Sequence, residues 1–161
     1  MARPSEEQQR ALAGLLGLGD HSARKSHYPE LLSRLEELEA ERNRYKWLFE
    51  HAVHGIFQAS LNDGLRAANP ALARMLGYTE AELLGRSTRL IYPDQKAYEN
   101  LAQEAYGTMR AGQTFRTEVQ LMRKDGSVGW YRLDGELLYP GSDESIWAFF
   151  DVTERKAMLD E

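Results

Sequence analysis

The side chains able to do chemistry in this chain are few, and their spacing argues against catalysis. His51 and His54 stand three residues apart and could face one way. No carboxylate or thiolate cluster accompanies them, so packing or surface roles explain them more simply than a metal site. The absence of cysteine excludes disulfides, thiolate metal ligands, a nucleophilic thiol and any cofactor bonded through sulfur. No Ser-His-Asp constellation occurs at usable spacing, and no Gly-x-Gly-x-x-Gly or Walker pattern is there to cradle phosphate. The glutamates between positions 36 and 41 suit a solvated helix face. The most informative stretch is the closing run Ile146-Trp-Ala-Phe-Phe-Asp-Val-Thr-Glu-Arg-Lys156, where an apolar strand passes into a charged helix. Asp151 and Thr153 stand at that junction, and their oxygens can accept the unpaired amides of a first helical turn. Such bonds would couple the sheet to the direction of the helix; equally, they could do no more than cap it.

The elements that must position these residues can be read from composition and period. With 161 residues, 42% hydrophobic and 28% charged, the chain suits one globular domain with an appendage and not a disordered one. A formal net charge of −5 gives no reason to expect nucleic acid as a partner. No window has the roughly 18 consecutive apolar residues of a membrane span, and Met1–Gln8 lacks an apolar signal core. A cytoplasmic location is the expectation.

Residues 1–27 read as a leader in which about Glu6–Leu16 has the pattern of a short amphipathic helix, followed by a Gly19–Ser22 turn. That leader either docks on something or holds one nascent helix. From 28 to 52 a heptad seam follows: Tyr28, Leu31, Leu35, Leu38, Arg42, Tyr45, Phe49 and Ala52, with charged residues between. Pro29 fits the first turn of such a helix. Two readings stand, a dimer-forming coiled coil or an amphipathic helix lying on its own domain.

Beyond His54 the period shortens to two. Strands are predicted at Gly55–Leu61 and Leu65–Ala68 around an Asn62-Asp63-Gly64 turn. Short helices follow at Ala71–Leu76 (Asn69 as cap, Pro70 first) and after Thr79, with Glu82 as its capping-box partner. A longer helix runs from Asp94 to about Arg110. Three alternating strands close the domain: Phe115–Lys124, Val128–Tyr139 and Ser145–Val152. This is an α+β order.

Four runs in that order resemble PAS domains. They are Leu48-Phe-Glu-His-Ala-Val-His-Gly-Ile-Phe57, Ala68-Asn-Pro-Ala-Leu-Ala-Arg-Met-Leu-Gly-Tyr-Thr-Glu-Ala-Glu-Leu-Leu-Gly85, Arg123-Lys-Asp-Gly-Ser-Val-Gly-Trp130 and Asp151-Val-Thr-Glu-Arg-Lys156. The resemblance covers about residues 42–156 and assigns 53–153 to the domain and 154–161 to the start of a signalling helix. It implies a five-stranded antiparallel sheet, order 2-1-5-4-3, with short helices over one face and an N-terminal helix before it.

By similarity to flavin-binding light-oxygen-voltage members, Val119, Leu121, Tyr131, Leu133, Trp147 and Phe149 face inward. Met122, Trp130, Ile146, Ala148 and Phe150 then form an apolar outer face that a helix or second subunit would cover. The resemblance also narrows the cofactor. Cysteinyl-flavin chemistry is excluded, and Leu121 and Tyr131 stand where flavin binders carry asparagines. Haem is disfavoured because no histidine lies between Asp94 and Ala111. An apolar, aromatic pocket is left, lined by Phe57, Leu72, Met75, Tyr98, Tyr106, Leu121, Tyr131, Trp147 and Phe149, with tyrosine hydroxyls and Arg89 as polar anchors. It suits a fatty acid, an aromatic metabolite, or nothing, in which case these residues fill the core.

The expected function is that of a regulatory, non-enzymatic sensor. A homodimer through Leu31, Leu35, Leu38, Tyr45, Phe49 and Trp130 would relay pocket occupancy through Asp151 and Thr153 to a following effector. Diguanylate cyclases, hence cyclic-di-GMP signalling, and histidine kinases are the effectors such a terminus most resembles. The alternative is a ligand-free PAS module that only sets dimer geometry.

Overall fold

The computed structural model describes residues 6–15 and 23–160, so the expected Gly19–Ser22 turn and the last residue of the expected first helix lie outside the described residues. The chain divides into two compact units, Met1–Lys46 and Trp47–Glu161. In the first, α1 spans Glu6–Leu15. Helix α2 spans Ala23–His51 and so crosses the boundary. It begins before Tyr28, which puts Pro29 inside the helix, not in its first turn. Proline there forgoes one intrahelical hydrogen bond. The seam residues Leu31, Leu35, Leu38 and Tyr45 are between 36% and 63% exposed. Among the described residues, no helix is long and apolar enough to cross a membrane.

The second unit carries a five-stranded antiparallel sheet in the order β2-β1-β5-β4-β3. Its strands are β1 (Gly55–Ser60), β2 (Gly64–Ala68), β3 (Phe115–Met122), β4 (Val128–Leu137) and β5 (Glu144–Asp151). Between β2 and β3 come α3 (Pro70–Leu76), α4 (Glu80–Leu83), a 3-10 turn (Thr88–Ile91) and α5 (Gln95–Arg110); α6 (Thr153–Leu159) follows β5. The 3-10 turn was not among the expected elements. Ser87 starts it by accepting the Arg89 amide.

Local chemistry places the helix starts. Asp94 accepts the Ala97 amide at 2.7 Å, and Thr79 and Glu82 form the reciprocal capping box. The β1–β2 turn depends on Gly64, whose φ of +74° and close approach to the Arg86 carbonyl leave no room for a side chain.

Asn69 does more than cap. Fully buried, it accepts the amides of Leu72 (3.0 Å) and Ile56 (2.8 Å) through Oδ1. Through Nδ2 it donates to the carbonyls of Phe49 (3.1 Å) and His54 (3.0 Å). One carboxamide thus joins the end of α2, the start of β1 and the first turn of α3, with all its hydrogen-bonding capacity used.

The two sheet faces sort by period two. Leu121, Tyr131, Leu133, Trp147 and Phe149 are buried, and Val119 packs against them. Met122, Trp130, Ala148 and Phe150 are half-buried on the other face, and Ile146 is exposed. That outer face is partly covered from within. The Arg132 guanidinium lies 4.4 Å from the Phe150 ring centre and the Lys156 ammonium 4.7 Å from that of Trp130. The Phe150 ring also meets His54, at 4.3 Å between ring centres. The two neighbouring histidines therefore part company: His51 stacks on Trp47 at 4.3 Å, and both histidines are exposed.

Candidate functional site

A cavity of about 440 Å³ lies between the buried face of the sheet and α5. Its sheet side is made by Phe57 and Ala59 of β1, Leu133 of β4 and Trp147 of β5. Its helix side is Tyr98, Leu101, Ala102, Ala105 and Tyr106, one stripe at the helical period. The small Ala102 and Ala105 leave open volume where larger residues would close it. Tyr92, Ser60, the turn Leu61–Gly64, and Gly85, Ser87 and Thr88 complete the wall.

The indole of Trp147 is held in place. Its Nε1 donates to the buried Ser145 hydroxyl at 2.9 Å, and Gly135, its partner across the β4–β5 ladder, leaves the space that the ring fills. The rings of Phe57 and Trp147 are within 8° of parallel, with centres 6.0 Å apart. Tyr92 and Tyr98 meet edge to face at 5.3 Å. Burial first, and then the neighbouring tyrosines, push the Tyr92 phenol well above its ordinary range. Burial also raises Tyr106, partly offset by hydrogen bonding with Ser145.

Of the nine residues expected in a pocket, the structure brings Phe57, Tyr98, Tyr106 and Trp147 to the cavity. Leu72, Leu121 and Phe149 are core residues that do not line it, and Met75 is half-buried against that core. Phe149 instead meets Phe57 edge to face at 5.1 Å. Tyr131 is buried but committed elsewhere: its hydroxyl donates to the Met75 carbonyl (3.2 Å) and accepts from Arg123 Nε (2.9 Å). Arg89 holds Gln95 and the Tyr92 carbonyl and does not line the cavity. Sequence reasoning missed Tyr92, Ser145 and the alanines of α5; the helical stripe from Tyr98 to Tyr106 was the signal available for the alanines.

At the exit, Asp151 accepts the Thr153 amide at 3.0 Å, as its position at the junction suggests. Thr153 does not cap α6. Its hydroxyl accepts the Trp130 amide (3.0 Å) and donates to the Trp130 carbonyl (3.3 Å), while Val152 continues the ladder onto that carbonyl. Thr153 therefore ties the start of α6 to β4. Arg123 lies 3.9 Å from Asp151, and Arg155 and Lys156 both reach Glu118 on β3. Of the residues expected to form a dimer contact, Trp130 is half-buried under Lys156, and Phe49 is half-buried at the end of α2. Among the described residues there is no group of three or more His, Asp or Glu fit to hold a metal ion.

Known proteins agree with this architecture. Residues 66–148 match the family model described as the PAS fold, just over half of the chain. Sensor protein TdiS of Thauera aromatica is 32% identical over 95 residues, 58% of this chain and 17% of that protein. Sensor histidine kinase TmoS of Ectopseudomonas mendocina is 28% identical over 122 residues, 74% of this chain and 12% of that protein. The chain thus spans less than a fifth of the length of these two relatives. The PAS domain of a Colwellia psychrerythraea protein superposes with a TM-score of 0.67 at 18% identity, covering 72% of this chain and 99% of that one. Its likeness is one of fold. The sheet order, the helices packed against its buried face and the family match lead to one conclusion: this chain belongs to the PAS-fold family.

Proposed function

We propose that this PAS sensory domain reports occupancy of the cavity beside α5 to a helix that leaves the sheet at Thr153. The observation that carries this reading is the position of β5. Trp147 on the cavity wall and Asp151 at the exit belong to one strand, four residues apart and on the same face. That strand lies at the centre of the sheet, paired with β1 on one side and β4 on the other. A second route supports it: the Met75 carbonyl, Tyr131, Arg123 and Asp151 form a continuous polar chain from α3 to the first turn of α6. A guest that shifts Trp147 moves the strand on which the exit helix is anchored. Such a switch requires different affinities for the guest in the two states.

The same proposal makes the protein a homodimer through the leucine seam of α2, acting on a covalently linked effector. A histidine kinase is the favoured effector, because a relative matched over 74% of this chain carries that name. Native mass spectrometry of gently purified protein tests the reading. A dimer carrying a reproducible extra mass is the expected result. A bare dimer would instead favour a ligand-free module that sets effector geometry, and a bare monomer would remove the seam argument as well.

A further inference from the structure

Tyr92 lines the cavity at only 5% exposure, and among the described residues its hydroxyl has no hydrogen-bond partner. The Tyr98 hydroxyl, on the same wall, has none either among the described residues. Buried hydroxyls are seldom left so, because the desolvation is not repaid until a partner arrives. By contrast, the indole N–H of Trp147 is already satisfied by Ser145. Among the wall's hydroxyls without a partner among the described residues, that of Tyr92 belongs to a buried residue, whereas Tyr98 and Thr88 are half-buried, so the hydrogen-bonding demand is greatest at Tyr92.

The wall carries little charge. Asp63 is its one acidic or basic residue, it sits in the β1–β2 turn, and it is already paired with Arg66 at 2.8 Å. No lysine, arginine or histidine lines the cavity, so a carboxylate would be desolvated there without a counter-charge. A cation would find only a carboxylate that is largely exposed and already engaged. Opposite the tyrosines, Phe57 and Trp147 offer nearly parallel aromatic surfaces, which a planar ring matches better than a branched chain. The volume of about 440 Å³ is close to three times the roughly 150 Å³ of an apolar cavity that takes up benzene. Two fused rings fit.

We propose that the cavity selects neutral aromatic molecules bearing a hydroxyl group, with the ring against Phe57 and Trp147 and the hydroxyl bonded to Tyr92. This inference rests on the occupancy reading above and names the class of guest. A phenol both donates and accepts, as does the tyrosine that meets it. The raised phenol of Tyr92 remains protonated at neutral pH and so can donate.

Three probes on one skeleton separate the contributions: 2-naphthol, naphthalene and 2-naphthoate, titrated into the full chain by isothermal calorimetry at neutral pH. The expected order places 2-naphthol about five- to tenfold tighter than naphthalene, the ratio one neutral hydrogen bond supplies, with 2-naphthoate weakest. Tyr92→Phe, which keeps the ring, should bring 2-naphthol to the level of naphthalene while leaving naphthalene unchanged. Thermal melting of that variant checks its fold, and the comparison of head groups in the parent chain stands without it. Equal binding of naphthol and naphthalene, or preference for naphthoate, overturns the inference while leaving occupancy intact. Persistence of the naphthol advantage in a folded Tyr92→Phe variant overturns the assignment to Tyr92. Failure of all three probes to bind overturns this class of guest; only a bare protein in native mass spectra removes occupancy itself.

Discussion

Gly135 faces Trp147 across the β4–β5 ladder, and a Cβ on residue 135 would lie 2.6 Å from Cε3 of the indole. The glycine is required by close approach, since the ring occupies the volume that any side chain would need. Gly135→Ala is expected to force the indole toward the cavity, break its bond to Ser145 and cost about 1–3 kcal/mol, as overpacking generally does. Trp47 and Trp130 obscure the signal, so emission should be followed with both replaced by phenylalanine. A shifted Trp147 emission together with a lower melting temperature is the expected outcome; an unchanged pair of readings would show that the indole has room to spare.

Asn69 is the second position where one side chain governs several elements. Asn69→Ala removes the partners of two amides and two carbonyls, at Ile56, Leu72, Phe49 and His54. Leaving such groups unpaired should destabilise the domain by on the order of 3 kcal/mol. Denaturant unfolding measures that loss, and hydrogen exchange at the Ile56 and Leu72 amides locates it. Asn69→Asp keeps the acceptor and loses the donors, so those two amides should be better protected than in the alanine variant. Equal exchange in the two variants would contradict this division of roles.

What the sequence disclosed, and what it withheld, follows from the range over which each residue acts. Asn69, Thr79 and Asp94 cap helices within three residues of themselves, so residue type and spacing suffice to find them. Strand alternation separated the sheet faces from Val119 to Phe150 because side-chain direction is local. The same alternation could not separate cavity from core. Tyr131 and Phe149 point inward as Trp147 does, yet only Trp147 of the three lines the cavity. The distinction is made by which helix lies over each strand end. Two small residues on α5 leave a cavity, while elsewhere α3 packs against β1. For Thr153 the sequence leaves two readings open, a coupling of sheet to helix or a simple cap, because its partner Trp130 is 23 positions away and reached only once the strands pair.

The proposed dimer rests on side chains that the single chain leaves in solvent. Leu35 and Leu38 are 53% and 50% exposed on α2. Burying a leucine contributes about 1.5–3 kcal/mol, so Leu35→Glu with Leu38→Glu should weaken association by at least ~100-fold. Size-exclusion chromatography with light scattering reads the change from dimer to monomer. The melting of the Trp47–Glu161 unit should be unaffected, since neither leucine belongs to it. A variant that remains dimeric would move the interface away from this seam.

Acid should loosen the first turn of α6. Glu118 on β3 accepts from Lys156 at 2.7 Å and from Arg155. The hydrogen bond from Lys156, and next that from Arg155, hold its carboxyl below its ordinary 4.5. For a carboxyl depressed in the docked state, the stabilisation is complete above the ordinary value. It is lost as pH falls through the depressed one. Docking of α6 should therefore be constant at neutral pH and weaken only below 4.5. Carbon-detected NMR of the Glu118 carboxyl gives the midpoint directly, and exchange of the Lys156 amide, bonded to the Val152 carbonyl, follows the helix. Glu118→Gln should raise that exchange at neutral pH and remove this step from its acid dependence. A Glu118 midpoint at or above 4.5 would mean that Arg155 and Lys156 do not hold it in solution, and the exit helix would then be anchored by Thr153 and Asp151 alone.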